Sequence, residues 1–198
     1  MFPEAFKYSV AKSVNSAIKW LLNTHGSAFD SFSSGILSLL LWVQGILVSI
    51  PWWAYIAFIA LMAWIATRKI IPVIVLAVLP IFIGMFGLWH LALETLALVI
   101  TSVVIALAIG IPMGVLMAEA RYFAEFIKPV LDAMQTMPSF VYLIPAMMLF
   151  GLGKVPAVIA TLIYALPPVM RLTCLGLQQV PRPVQEAALA YGATRWQL

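Results

Sequence analysis

Five apolar segments, each close to the length of a bilayer-crossing helix and separated by short polar breaks, constrain this chain more than any other feature. A hydrocarbon core about 30 Å thick takes about twenty helical residues to cross, and only a helix satisfies its own backbone hydrogen bonds there. The segments run from Trp52 to Thr67, Ile70 to Trp89, Leu91 to Ala118, Pro129 to Phe150 and Val155 to Leu177. Arg68 and Lys69 form the first break, Gly87 to His90 the second, the charged stretch Glu119 to Lys128 the third, and Gly151 to Lys154 the fourth. Composition agrees: 64% of the 198 residues are hydrophobic and 9% are charged, against about half and about one quarter in soluble domains. The expected fold class is an all-α integral membrane protein, a polytopic transmembrane helix bundle with the lipid bilayer as its main solvent.

The formal charge of +4 does not point to nucleic acid. Lys and Arg fall singly or in pairs between apolar runs, with no basic patch and no interleaved aromatic platform. Positive residues stay cytoplasmic, which puts Arg68, Lys69, Arg121, Lys128, Arg171, Arg182 and Arg195 on the inside and leaves Lys154 alone outside. Five spans then place the stretch before Trp52 outside, yet Lys7, Lys12 and Lys19 belong inside by the same rule. Two arrangements remain open for residues 29–50. They form a sixth span, weakened by Ser31, Ser33 and Ser34, or an interfacial, half-inserted helix with Pro51, Trp52 and Trp53 at headgroup level; the second is favoured. Before them, Phe6, Val10, Val14, Ile18 and Leu21 recur at helical spacing between lysines, the pattern of an amphipathic surface helix. Three parts are expected: interfacial helices over residues 1–50, two peripheral membrane helices over 51–90 and a membrane core over 91–198. Met1, Phe2 and Pro3 do not open a cleavable signal peptide, so insertion is expected to rely on the internal segments.

Chemistry is sparse. No glycine loop ending in Lys and Ser or Thr cradles a nucleotide, so the chain is not itself an ATPase and energy for any pumping comes from a partner. His25 and His90 are far apart and lack a metal-ligand pattern, so no metal site and no catalytic residue are expected. Cys174 reads as a small buried apolar residue. No internal repeat is apparent, which counts mildly against inverted-repeat carriers.

The most informative stretch is Val180-Pro181-Arg182-Pro183-Val184-Gln185-Glu186-Ala187-Ala188-Leu189-Ala190-Tyr191-Gly192. The prolines end one helix and Pro183 is suited to open another. Glu186, Ala187 and Ala188 favour helix, and the small alanines let a partner surface come close. Gly192 permits the left-handed turn that stops it. This resembles the loop of permeases in binding-protein-dependent ABC importers, which reads Glu-Ala-Ala, three residues, Gly, nine residues, Ile-x-Leu-Pro. Leu131-Asp132-Ala133-Met134-Gln135-Thr136-Met137-Pro138-Ser139-Phe140 and Ala165-Leu166-Pro167-Pro168-Val169-Met170-Arg171 are similar to the glycine betaine/proline branch. The likeness is strong from Glu94 onward and looser from Pro51 to Leu93.

The resemblance implies a type I importer transmembrane domain in a bacterial inner membrane, read here as C-terminally truncated because the sequence ends at Leu198 before Ile-x-Leu-Pro. It implies a permease for glycine betaine, proline or related quaternary ammonium osmoprotectants, working by alternating access. Glu186, Ala187, Ala188 and Gly192 would couple to a cytoplasmic ABC ATPase holding ATP and Mg, while this chain binds no cofactor. An extracytoplasmic substrate-binding protein and a second permease copy, forming a homodimer, complete the expected partners. Gln135, Thr136, Ser139, Tyr142 and Glu94 are path candidates, alternatively helix-to-helix hydrogen-bonding groups or, for Glu94, a first-turn acid on the helix dipole. Pro138, Pro145, Pro167 and Pro168 are hinge candidates, alternatively packing kinks. Asp132 is expected to pair with Lys128 one helical turn away. The competing functions are an ion-coupled secondary transporter or channel without an ATPase, and a membrane scaffold without transport.

Overall fold

The computed structural model describes residues 10–194 and 197, without the side chains of 10–14 and 17. Phe6, Lys7 and Arg195, with the side chains of Val10, Lys12 and Val14, therefore lie outside the described residues. Eight helices follow in order: α1 (Val10–Ser49), α2 (Trp52–Thr67), α3 (Ile70–Met85), α4 (Trp89–Glu119), α5 (Arg121–Thr136), α6 (Ser139–Phe150), α7 (Lys154–Gln178) and α8 (Arg182–Ala190). No strand occurs among the described residues. Ile18–Ser49, Trp89–Glu119 and Lys154–Gln178 are each long and apolar enough to cross a membrane.

The serines of α1 do not interrupt it. Ser31, Ser34 and Ser38 donate their hydroxyls back to the carbonyls of Ser27, Ser31 and Gly35, which satisfies them inside the helix. The irregularity falls instead at His25, whose φ of −126° and ψ of 19° are non-helical. α2 takes the expected bounds, and α3 ends at Met85, before Gly87 turns the chain at φ 70°. Each has 16 residues, about 24 Å of helix at 1.5 Å per residue. The two pack together about a turn in which Arg68 takes φ 53° and donates its backbone N–H to the Trp64 carbonyl.

The expected continuous span from Pro129 to Phe150 is two helices. They meet at Met137–Pro138, where the axis bends by 96°. Pro138 has no N–H to continue the ladder and its ring pushes the preceding residue out of helical space; Met137 sits at φ −79°, ψ 137°. Pro129 lies inside α5, so the helix begins at Arg121, eight residues before the expected start. Pro145 lies within α6, and Pro167 and Pro168 within an unbroken α7.

Two compact units emerge: the described residues up to Thr101 with Leu143–Val158, and Ser102–Tyr142 with the described residues from Ile159 onward. In the first, Val43 and Leu47 of α1 are buried with Leu93 and Ala97 of α4, flanked by Tyr55, Trp89 and Ile100. Tyr55 donates to the Leu47 carbonyl at 2.7 Å and meets Trp89 edge to face at 5.6 Å. In the second, Met117, Ala124, Leu131, Met170 and Cys174 form the core. Gly110 and Gly114 let α4 approach α7 within it. A Cβ at Gly110 would lie 2.6 Å from Val169 Cγ1; one at Gly114 would lie 2.6 Å from Thr173 Cβ and 2.8 Å from the Met170 carbonyl oxygen.

Candidate functional site

α8 is built by local chemistry. Pro181 precedes it in extended conformation (φ −62°, ψ 135°) and a proline occupies its first turn, where the missing N–H costs nothing. Gln185 Nε2 donates to the Val180 carbonyl at 3.0 Å, tying the helix to its approach. At the far end Gly192 turns left-handed at φ 86°. Its N–H reaches the Leu189 carbonyl at 2.9 Å, and the Ala193 N–H reaches Ala188 at 3.0 Å, satisfying carbonyls that a helix end leaves open. No residue of α8 is buried. Glu186, Ala187 and Gly192 are exposed and Ala188 half-buried. Val184, Leu189 and Tyr191 stand uncovered beside them. The result is a short helix, closed at its C-terminal end, with an acid, small residues and apolar side chains exposed.

Four of the path candidates gather in the second unit around the Met137–Pro138 break. Gln135, Thr136 and Ser139 are exposed and Tyr142 is half-buried. Thr136 Oγ1 donates to the Ala133 carbonyl at 3.2 Å. Tyr142 Oη lies 3.3 Å from the same carbonyl and 3.0 Å from that of Met134.

Glu94 belongs to the first unit. It is not in the first turn of α4 but one turn further in, and it has a charged partner: Lys154 Nζ is 2.9 Å from Glu94 Oε1 and 3.1 Å from Gln44 Oε1. Gln44 Nε2 donates to Glu94 Oε1 at 3.3 Å, and His90 Nδ1 lies 3.8 Å from the same oxygen. Gln44 and Lys154 were missed as site residues. Their signal in the sequence is that Gln44 is a polar residue within an apolar run and Lys154 the lone cation on the side assigned as external. Asp132 pairs with Arg171 of α7, not with Lys128, because the fold offers a guanidinium from a neighbouring helix. Among the described residues no group of three or more His, Cys, Asp or Glu comes together that could hold a metal ion.

These features define a class: an all-α, multi-pass membrane protein with long apolar helices and a short exposed helix following the last of them. Residues 110–198 match the family model described as "Binding-protein-dependent transport system inner membrane component". The chain is 38% identical over 189 residues to the glycine betaine transport system permease protein OpuAB of Bacillus subtilis (strain 168), covering 93% of this chain and 65% of that protein. It is 40% identical over 185 residues to the glycine betaine/proline betaine transport system permease protein ProW of Escherichia coli (strain K12), covering 93% and 52%. Over 120 residues it is 49% identical to the glycine betaine/carnitine transport permease protein GbuB of Listeria monocytogenes serotype 1/2a (strain 10403S), covering 58% and 43%. Residues 110–198 carry the membrane component of the binding-protein-dependent transport systems, and the chain as a whole is similar to permeases of the glycine betaine/proline betaine branch. It spans about two thirds of the first of these relatives and about half of the second.

Proposed function

We propose that this chain is the membrane-spanning permease subunit of an ATP-driven importer of glycine betaine, proline betaine or a related quaternary ammonium osmoprotectant. The observation that carries the reading is α8: an exposed helix, opened by proline and closed by Gly192, that presents Glu186, Ala187 and Ala188. Such a helix, closed at its C-terminal end by the Gly192 turn, offers a partner a compact element to grip. The partner is a cytoplasmic ABC ATPase, which supplies ATP and Mg; this chain lacks a nucleotide loop. An extracytoplasmic binding protein delivers the substrate and a second permease copy completes the pathway, which works by alternating access. Gln135, Thr136, Ser139 and Tyr142 line the path beside the bend. Pro138 and the Pro167–Pro168 pair act as hinges; the pair removes two intrahelical donors otherwise aimed at the carbonyls of Ile163 and Tyr164.

The test is Glu186→Arg, with co-purification of the ATPase and uptake of labelled glycine betaine as readouts. A coupling helix loses both. An ion-coupled carrier or a channel keeps its uptake, and a scaffold shows none before or after the change.

A further inference from the structure

Gln44, Glu94 and Lys154 close a triangle of side chains from α1, α4 and α7, with contacts of 2.9, 3.1 and 3.3 Å between residues 50 to 110 positions apart in sequence. Val43 and Leu93, the chain neighbours of Gln44 and Glu94, are buried in one apolar cluster with Leu47 and Ala97. Lys154 and Glu94 keep 38% and 28% of their side-chain surface exposed. A pair this wet is weakly held and can be broken and remade without the penalty of stranding a buried charge.

A second observation concerns what carries Lys154. It is the first residue of α7, and the three residues before it are Gly151 at φ 76°, Leu152, which is 91% exposed, and Gly153 at φ 148°. Nothing lies within 4 Å of the place a Cβ would occupy at either glycine. The two glycines answer a backbone need and not a packing need: both occupy conformations that L side chains rarely adopt, in open space. A loop of this kind absorbs large φ/ψ changes at the end of an element, which is what a hinge requires.

We infer that Gln44, Glu94 and Lys154 form a latch that pins the start of α7 to α1 and α4, with Gly151–Gly153 as the hinge on which that start swings when the latch opens. Glu94 is then a positioning residue and not a ligand for the substrate. Lys154 balances the charge of Glu94, and the uncharged Gln44 amide bonds to both. The latch rests on the importer reading for its purpose, since alternating access supplies the motion that would open it. Its geometry does not depend on that reading.

The experiment measures how fast a lysine-directed amine reagent modifies Lys154 in the full chain in detergent micelles, read by mass spectrometry of the peptide. Glu94→Gln is expected to raise the rate by about two- to fivefold, the change given by loss of an exposed ion pair of ordinary strength. An unchanged rate overturns the pairing. Gln44→Leu, which leaves the ion pair in place, is expected to give a smaller rise in the same direction. In the assembled transporter, trapping with a non-hydrolysable ATP analogue is expected to bring Lys154 of the parent chain to the Glu94→Gln rate. A rate unmoved by trapping makes the triangle a fixed strut and overturns the latch. A chain that assembles with no ATPase removes the importer reading and the latch's purpose with it, while the Glu94→Gln arm still reports the pairing by itself.

Discussion

The hydroxyl of Tyr142 donates across the break between α5 and α6 to the carbonyl of Met134, 3.0 Å away. The last carbonyls of α5 have no partner further along the helix, and Pro138 forbids the chain from supplying one by continuing. Tyr142 supplies it from beyond the bend. Replacement by Phe keeps the ring and removes the donor, so Tyr142→Phe is expected to cost about 0.5–1.5 kcal/mol. A lowered thermal midpoint of the purified chain would register it; an unchanged midpoint would mean the hydroxyl does not hold the bend.

Gly110 and Gly114 do not tolerate side chains equally. At Gly110 the nearest atoms belong to the Val169 side chain, whereas at Gly114 a backbone oxygen, that of Met170, stands in the way. Side chains can rotate and backbone cannot. Gly114→Val is expected to lower stability by about 1–3 kcal/mol, and Gly110→Ala by less. Gly45, with nothing within 4 Å of its Cβ position, serves as the control: Gly45→Ala is expected to be neutral or stabilising. Detergent-resistant folded yield after graded heating ranks the three, and equal losses at Gly45 and Gly114 would refute the ordering.

Thr101 is fully buried and its Oγ1 has no hydrogen-bond partner in the structure. An unpaired buried hydroxyl is a standing cost. Valine has the same shape without it, so Thr101→Val is expected to stabilise the fold by about 1 kcal/mol. A loss of stability in a melting experiment would show that the hydroxyl is bonded within the fold.

Arg68 holds φ 53° at the turn between α2 and α3, a conformation that costs an L residue about 1 kcal/mol. Arg68→Gly is expected to raise the melting midpoint, and Arg68→Val to lower it, since a β-branched residue fits that region worse. Lys69 keeps a positive charge at the turn in both variants.

What could be read from the sequence was local. The bounds of the exposed helix α8 were legible because Pro183, the Glu186–Ala188 run and Gly192 act within a few residues of one another. The bounds of α2, α4 and α7 fell within about two residues of the hydrophobic runs, as expected where burial in lipid decides helix length. The bend at Met137–Pro138 was hidden, because hydropathy averages over a window and does not register one missing backbone donor. Ser31, Ser33 and Ser34 weakened residues 29–50 as a span because a free hydroxyl is costly in lipid; here Ser31 and Ser34 bond back into the helix. The long-range pairs were out of reach. Asp132 had a plausible partner at Lys128 on its own helix, and nothing nearby in sequence announced Arg171; Gln44 and Lys154 meet across 110 positions.

The glycine seam also says how this part of the molecule can move. With Val169 and Thr173 seated where side chains of Gly110 and Gly114 would otherwise be, α4 and α7 interlock along this stretch. A displacement of one helix along the seam therefore carries the other with it.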